Sequence, residues 1–145
     1  MNIHLKKIEE KYMHEIVNLL QDISNFQPEI SEYKSIFESF ITQENVIGLV
    51  AIVKDEEFAK EKVVGFGSVH YSRRIRGGAV GFIEDIAVLE SFRKKGIGKL
   101  IVKNLIDLAK KEDCFKLVLE CKEDRKIFYK KLGFYNSGFA MSLKF

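Results

Sequence analysis

Proline occurs once in this 145-residue chain, cysteine twice and histidine three times. Each scarcity removes a class of protein. With one proline and no low-complexity tract, the composition is that of an ordinary globular chain, neither linker nor repeat. Cys114 and Cys121 have neither metal-ligand spacing nor a histidine beside them, and two cysteines make no disulfide framework, so both are expected to be small core residues. His4, His14 and His70 are scattered without an HxxxH or HExxH pattern, so no metal is expected. No apolar run approaches membrane-spanning length, and the start MNIHLKKIEEKY lacks a signal-peptide core. A cytoplasmic chain without a membrane span is expected. There is no arginine-rich tail and no aromatic-glycine RNA signature, which argues against nucleic acid as a partner. The length suits one domain over residues 1–145, long enough to bury a real core.

What is present is concentrated in one stretch. The formal charge is only +3, yet residues 93–111 hold seven Lys or Arg against one acid, Asp107. That basic run follows a β-prone segment, residues 82–88, and opens an amphipathic one, so that FIEDIAVLESFRKKGIG reads as strand, turn and helix start. Gly96 and Gly98 fall at the turn. Glycine lets backbone approach a ligand closely, and a helix start offers unpaired NH donors at the positive end of its dipole. With Arg93, Lys94, Lys95 and Lys99 around it, the segment suits a phosphate-bearing ligand; a solvated basic turn is the plain alternative. A Walker A loop would need Ser or Thr where Leu100 stands, and a dinucleotide fingerprint would need glycine at Ile101.

Elsewhere the periodicity is readable. Residues 2–8 form a short strand. Ile16, Leu19, Leu20 and Ile23 mark one helix face, and Tyr33, Ile36, Phe37, Phe40 and Ile41 mark a second, with Ser31 as its N-cap. Both helices are expected to cover the core. Strands follow at 46–53 and 63–71, then a basic loop containing Arg73, Arg74 and Arg76, then the strand at 82–88. The long helix is expected over 97–112, a buried strand over 115–121, a short helix over 125–132 stopped by Gly133, and a last strand over 139–145. Glu120 stands out within a buried strand. It is either a strand-end charge or a group held in a cleft where a base is needed. The order gives an α/β domain with helices on both faces of a mixed sheet.

The motif R-x-x-G-x-G at 93–98, directly after a strand and opening a helix, resembles the acetyl-CoA pyrophosphate loop of the GNAT acetyltransferase superfamily, whose element order is also the one above. Within it, GFIEDIAV (81–88), CFKLVLEC (114–121), IFYKKLGF (127–134) and the G-x-x-M at Gly138 to Met141 are similar to the glucosamine-6-phosphate N-acetyltransferase family. The resemblance implies an acyl-CoA N-acyltransferase fold with a mostly antiparallel sheet. It also implies acetyl transfer from acetyl-CoA, the cosubstrate, to the 2-amino group of glucosamine 6-phosphate, on the way to UDP-N-acetylglucosamine. Carried across, Ile86, Ala87 and Val88 contact the pantetheine arm and acetyl group. Arg93, Lys94, Lys95, Gly96, Ile97, Gly98 and Lys99 cradle the pyrophosphate, and Lys131 joins the cofactor set. Tyr129 stands at the sulfur and Glu120 at the sugar amine, as the catalytic pair. Ser24, Arg73, Arg74, Glu84, Asp85 and Lys144 line the sugar phosphate, with Lys144 reaching from the partner subunit of a homodimer. The sequence departs from the family's pattern with Lys94 in place of glycine and Arg125 in place of asparagine.

The chemistry suits these residue types independently. An amine attacks a thioester only when neutral, so a carboxylate can take its proton; the oxyanion needs NH donors; and the departing thiolate needs a donor such as a tyrosine hydroxyl. No covalent intermediate is required, so Cys121 is read as packing. Acetyl transfer to a different small amine or a protein N-terminus, and a non-catalytic acyl-CoA-binding module, are the competing functions. Arg73, Arg74 and Arg76 argue against a cationic acceptor, and the presence of Glu120 with Tyr129 argues against a binding module.

Overall fold

The computed structural model describes residues 2–57 and 59–145. Five strands lie side by side in chain order: β1 (Ile3–Lys7), β2 (Val46–Asp55), β3 (Lys60–Arg73), β4 (Ala79–Val88) and β5 (Cys114–Leu119). The first four are antiparallel and β5 runs parallel to β4. A parallel neighbour requires a crossover, which the helix α3 (Ile97–Lys111) supplies. The expected α/β class, with a mostly antiparallel sheet flanked by helices, is the one adopted.

Two apolar layers follow from the strand alternation. Leu49, Ala51, Val64 and Val69 face α3, which buries Ile97, Ile101, Val102 and Leu105 against them. Val50, Ile52, Val63 and Phe66 face the other way, onto Tyr12, Ile16 and Leu19 of the segment leading into and forming α1 (Met13–Leu20). Gly67 sets how closely α3 can lie, because an added Cβ there would sit 2.7 Å from Ile101 Cγ2 and 2.6 Å from Ile86 Cδ1. A bulge opposite Ala51 and Ile52 leaves Val64 without a partner on β2. The buried Val63 N–H instead donates to Glu15 Oε2 at 2.8 Å, tying α1 to the sheet.

Several expectations are corrected. The helix α2 (Tyr33–Ile41) has no fully buried residue, and Ile36 and Ile41 remain exposed, so it covers the core only through groups such as Phe40, which lies over Gly48. Its start is fixed not by Ser31, which sits inside a preceding turn, but by Glu29, whose backbone N–H donates to Glu32 Oε2 at 2.9 Å. α1 ends at Leu20, leaving Ile23 exposed. β5 stops at Leu119, so Glu120 and Cys121 fall outside the sheet; Cys121 is exposed rather than packed. After the short helix α4 (Lys126–Lys131), residues 134–145 form no strand. Phe139, Met141, Leu143 and Phe145 alternate as read, but in the single chain they find no sheet edge and are almost wholly exposed. Among the described residues, no helix is long and apolar enough to cross a membrane.

Candidate active site

The site opens where two strands part. β4 and β5 pair from Ala79 and Cys114 up to Ile83 and Leu119, after which β4 continues to Val88 with no strand of the described residues on that side. On its other edge β4 stays with β3, but Phe66 pairs with Ala87 and Ser68 with Glu84, so Asp85 and Ile86 together oppose Gly67. This is a β-bulge, which bends and twists the strand that carries it, and Asp85 takes a left-handed φ of 57° to make it. The result is a cleft of about 170 Å³ between Glu84, Asp85 and Ala87 on one wall and Glu120, Cys121 and Tyr129 on the other. It shares Glu84, Asp85 and Glu120 with a shallower groove of about 900 Å³ that runs over Phe82 and Val118 to Gly138 and Phe139.

Residues far apart in sequence therefore meet here: Glu84 to Val88, Glu120 and Tyr129. Tyr129 is wedged edge-on between Phe128 and Phe134, with centroids 4.9 and 5.8 Å away. Burial pushes its phenol up from the ordinary value, with a smaller push from Cys121 and opposition from Arg125, so it keeps its proton through the neutral range. Burial likewise raises the Asp85 carboxyl. Among the described residues neither Asp85 nor Glu120 has an ion-pair or hydrogen-bond partner. Two carboxylates without internal partners face the same opening.

At the far end of β4, α3 begins with Gly96 at a φ of 84°, and Lys94 makes the turn before it at a φ of 61° with its side chain present. A Cβ added to Gly98 would meet Phe128 at 3.4 Å and Val88 at 3.7 Å, ordinary contacts. Packing alone therefore does not require glycine there. The bare backbone, the unpaired NH groups of the first helical turn and the flanking lysines fit a pyrophosphate-bearing cosubstrate laid from β4 onto the helix start.

Arg93 is placed differently from the lysines. Its Nε donates to the Val88 carbonyl at 3.1 Å and its Nη2 pairs with Asp22 Oδ2 at 2.8 Å. Its guanidinium thus braces the end of β4 to the segment after α1. Asp22 was not singled out from sequence, and nothing in its local pattern marks it.

The arginine loop divides. Arg73 turns away, donating to the Glu112 carbonyl at 3.2 Å near the end of α3 and lying over Tyr71. Arg74 lines neither opening itself, but its guanidinium lies 5.9 Å from the centre of the ring of Phe82, which lines the groove. Phe82 in turn stacks on His70 at 5.1 Å, and His70 Nδ1 is 3.7 Å from Glu84 Oε1. Sequence reasoning missed His70; the β3–β4 register, which pairs it with Phe82, is the signal that finds it. Ser24 lies just beyond Ile23 and accepts from the Phe26 N–H at 3.2 Å. Arg125 lines the cleft beside Tyr129. Lys131 and Lys144 are exposed and line neither opening, so a single chain does not bring them to the site. Among the described residues no group of three or more His, Cys, Asp or Glu could hold a metal.

A slot between splayed strands, a tyrosine in its wall and a glycine-lysine helix start define the class. The acetyltransferase (GNAT) family model matches residues 13–134, and the chain belongs to that family. Glucosamine 6-phosphate N-acetyltransferase from Arabidopsis thaliana is 37% identical over 92 residues, covering 62% of each chain. Glucosamine 6-phosphate N-acetyltransferase 1 from Dictyostelium discoideum is 30% identical over 121 residues, 79% of this chain and 77% of the relative. The crystal structure of the Arabidopsis thaliana enzyme superposes with a TM-score of 0.86 at 28% identity, over 100% of this chain and 99% of that one. The chain spans 60% and 62% of the length of the first curated relatives it matches, from rice and Arabidopsis.

Proposed function

We propose that this acetyltransferase moves the acetyl group of acetyl-CoA to the 2-amino group of D-glucosamine 6-phosphate, giving N-acetylglucosamine 6-phosphate and CoA in UDP-N-acetylglucosamine biosynthesis. The observation that carries this reading is the cleft at the β4–β5 split, where partnerless carboxylates and a protonated Tyr129 face one another beside the glycine-lysine helix start. The named relatives above support the acceptor.

In this mechanism acetyl-CoA lies with its pyrophosphate on the start of α3 and its thioester in the cleft. The neutral amine attacks the thioester carbon, forming a C–N bond. Glu120 accepts the amine's proton, directly or through water. The developing oxyanion is met by the Val88 backbone N–H, which strand alternation turns away from β3 toward the edge of β4 that β5 leaves free. As the C–S bond breaks, Tyr129 gives its proton to the sulfur and later regains one from solvent. Burial serves that step, because a phenol that remains protonated is a ready donor. Arg74, Glu84 and Asp85 flank the sugar, with Ser24 at its edge. The sequence works as a single acetyltransferase domain.

The same reading makes the protein a cytoplasmic homodimer. Phe139, Met141, Leu143 and Phe145 are exposed apolar side chains, and β5 is the last strand of the sheet; a second copy of this chain would cover both while bringing Lys144 to its partner's acceptor phosphate.

Steady-state assays with acetyl-CoA and glucosamine 6-phosphate test the chemistry. Tyr129→Phe should lower kcat by about 100-fold. Glu120→Gln should also lower it, with part of the loss recovered at high pH as more of the amine becomes neutral. Wild-type kcat in both variants would overturn these roles.

A further inference from the structure

Phe92 lies in the turn between β4 and α3, and two lysines from different parts of the chain converge on its ring. Lys62, from the start of β3, has its Nζ 5.6 Å from the ring centre, and Lys95, from the glycine loop, has its Nζ 5.5 Å away. Cation–π attraction holds each ammonium in place, but it also gathers two like charges on one ring. No carboxylate within ion-pair distance compensates them. Among the described residues Lys62, Lys94, Lys95 and Lys99 have no acidic partner; of the loop's cations only Arg93 does, through Asp22. The positive end of α3 adds to the same field. Concentrated positive potential without an internal counter-charge suits a polyanion. The mechanism above uses only the helix start for the pyrophosphate and leaves Lys62 without a task.

We propose that Lys62 and Lys95, gathered at Phe92, form a phosphomonoester site that takes the 3′-phosphate at the nucleotide end of coenzyme A, separate from the pyrophosphate seat on α3. This rests on the acetyl-CoA reading above. A phosphomonoester carries close to two negative charges at neutral pH, and an ammonium meets it as a point charge with three rotatable donors, with no bidentate geometry required. Phe92 holds Lys62, which is not part of the loop, at the loop's edge together with Lys95. The site therefore gives the enzyme a means of telling CoA from its dephosphorylated precursor.

Calorimetric titration of CoA and dephospho-CoA, which differ only in the 3′-phosphate, tests this without an acceptor. The wild type should bind CoA about tenfold more tightly at low salt, and the preference should shrink as salt is raised. Lys62→Ala, at an exposed position, should weaken CoA binding and leave dephospho-CoA binding as it was, while Lys62→Arg should keep the preference. Equal binding of the two ligands by the wild type, or equal losses on both in Lys62→Ala, overturns the phosphomonoester site and leaves the acetyl-CoA reading standing. No binding of either ligand by the wild type overturns both.

Discussion

At the β1–β3 end of the molecule the polar groups are tied to one another, whereas at the β4–β5 end two carboxylates, Asp85 and Glu120, are left open to the cleft. On the closed side the Tyr12 hydroxyl donates to Glu61, Lys11 Nζ lies 3.3 Å from Glu61 and Lys6 Nζ 3.6 Å from it, and Glu15 holds the Val63 N–H. The Tyr12 hydrogen bond, with Lys11 and Lys6, keeps the Glu61 carboxyl down at about 2, from an ordinary 4.5. On the open side Asp85 and Glu120 lack partners among the described residues, a residue other than glycine takes a left-handed backbone conformation in the bulge, and the strand ladder stops early. The difference shows where each end spends its polar groups. Networks at one edge hold α1 and β3 in place, so the opposite edge can carry strain and unpaired charge.

Separating the two ends is the way to sharpen this comparison, and the largest effect is expected at the open one. Gly98→Ala should weaken acetyl-CoA binding by about 100-fold by lifting the ligand off the helix start, while the melting temperature stays close to wild type, since the new Cβ meets only ordinary contacts. Tight binding in calorimetry would break the assignment of that backbone. The converse is Glu15→Ala at the closed end. It strands the buried Val63 N–H and should cost about 1–3 kcal/mol in denaturant unfolding, with kcat/KM retained in the folded fraction. A loss of kcat at full stability would show that the ends are not separable.

The smallest effect is a dependence on acid. Because the folded Glu61 pKa is depressed, its stabilisation is fully present above about 4.5 and is lost as pH falls toward about 2. Glu61→Gln should flatten that part of the stability curve by lowering stability at neutral pH toward its acid level. An unaltered acid limb would mean the network contributes nothing.

Much of the fold was legible because periodicity reports which face of an element is apolar. The helix start at Ile97, the stop at Gly133 and the apolar, β-prone run of β2 needed nothing more. What was not legible depends on pairing. The run IEDIAV reads as uninterrupted strand, and only register against β3 reveals that Asp85 is bulged. Arg73 and Arg74 are adjacent and chemically alike, yet one lies toward the end of α3 and the other over Phe82; sequence offers no way to choose between faces at a hairpin's end. His70 meets Glu84 only through the same register. The alternation of residues 139–145 encodes two faces but not what covers them, so a strand was expected where the single chain provides no partner. Within the site, the glycine loop and the carboxylate positions came from local motif, whereas the Arg93–Asp22 brace joins residues whose sequence neighbourhoods say nothing of each other.

The central claim is that the open end is completed by a sugar phosphate and acetyl-CoA. It is tested most directly by the ratio of kcat/KM for glucosamine 6-phosphate to that for glucosamine, measured in the wild type and in Arg74→Ala. A charge-assisted contact to the phosphate predicts a wild-type preference for the phosphorylated sugar of about 10- to 100-fold, eroded in Arg74→Ala through loss on that substrate alone. A wild type that prefers glucosamine, or equal losses on the two sugars, would contradict it.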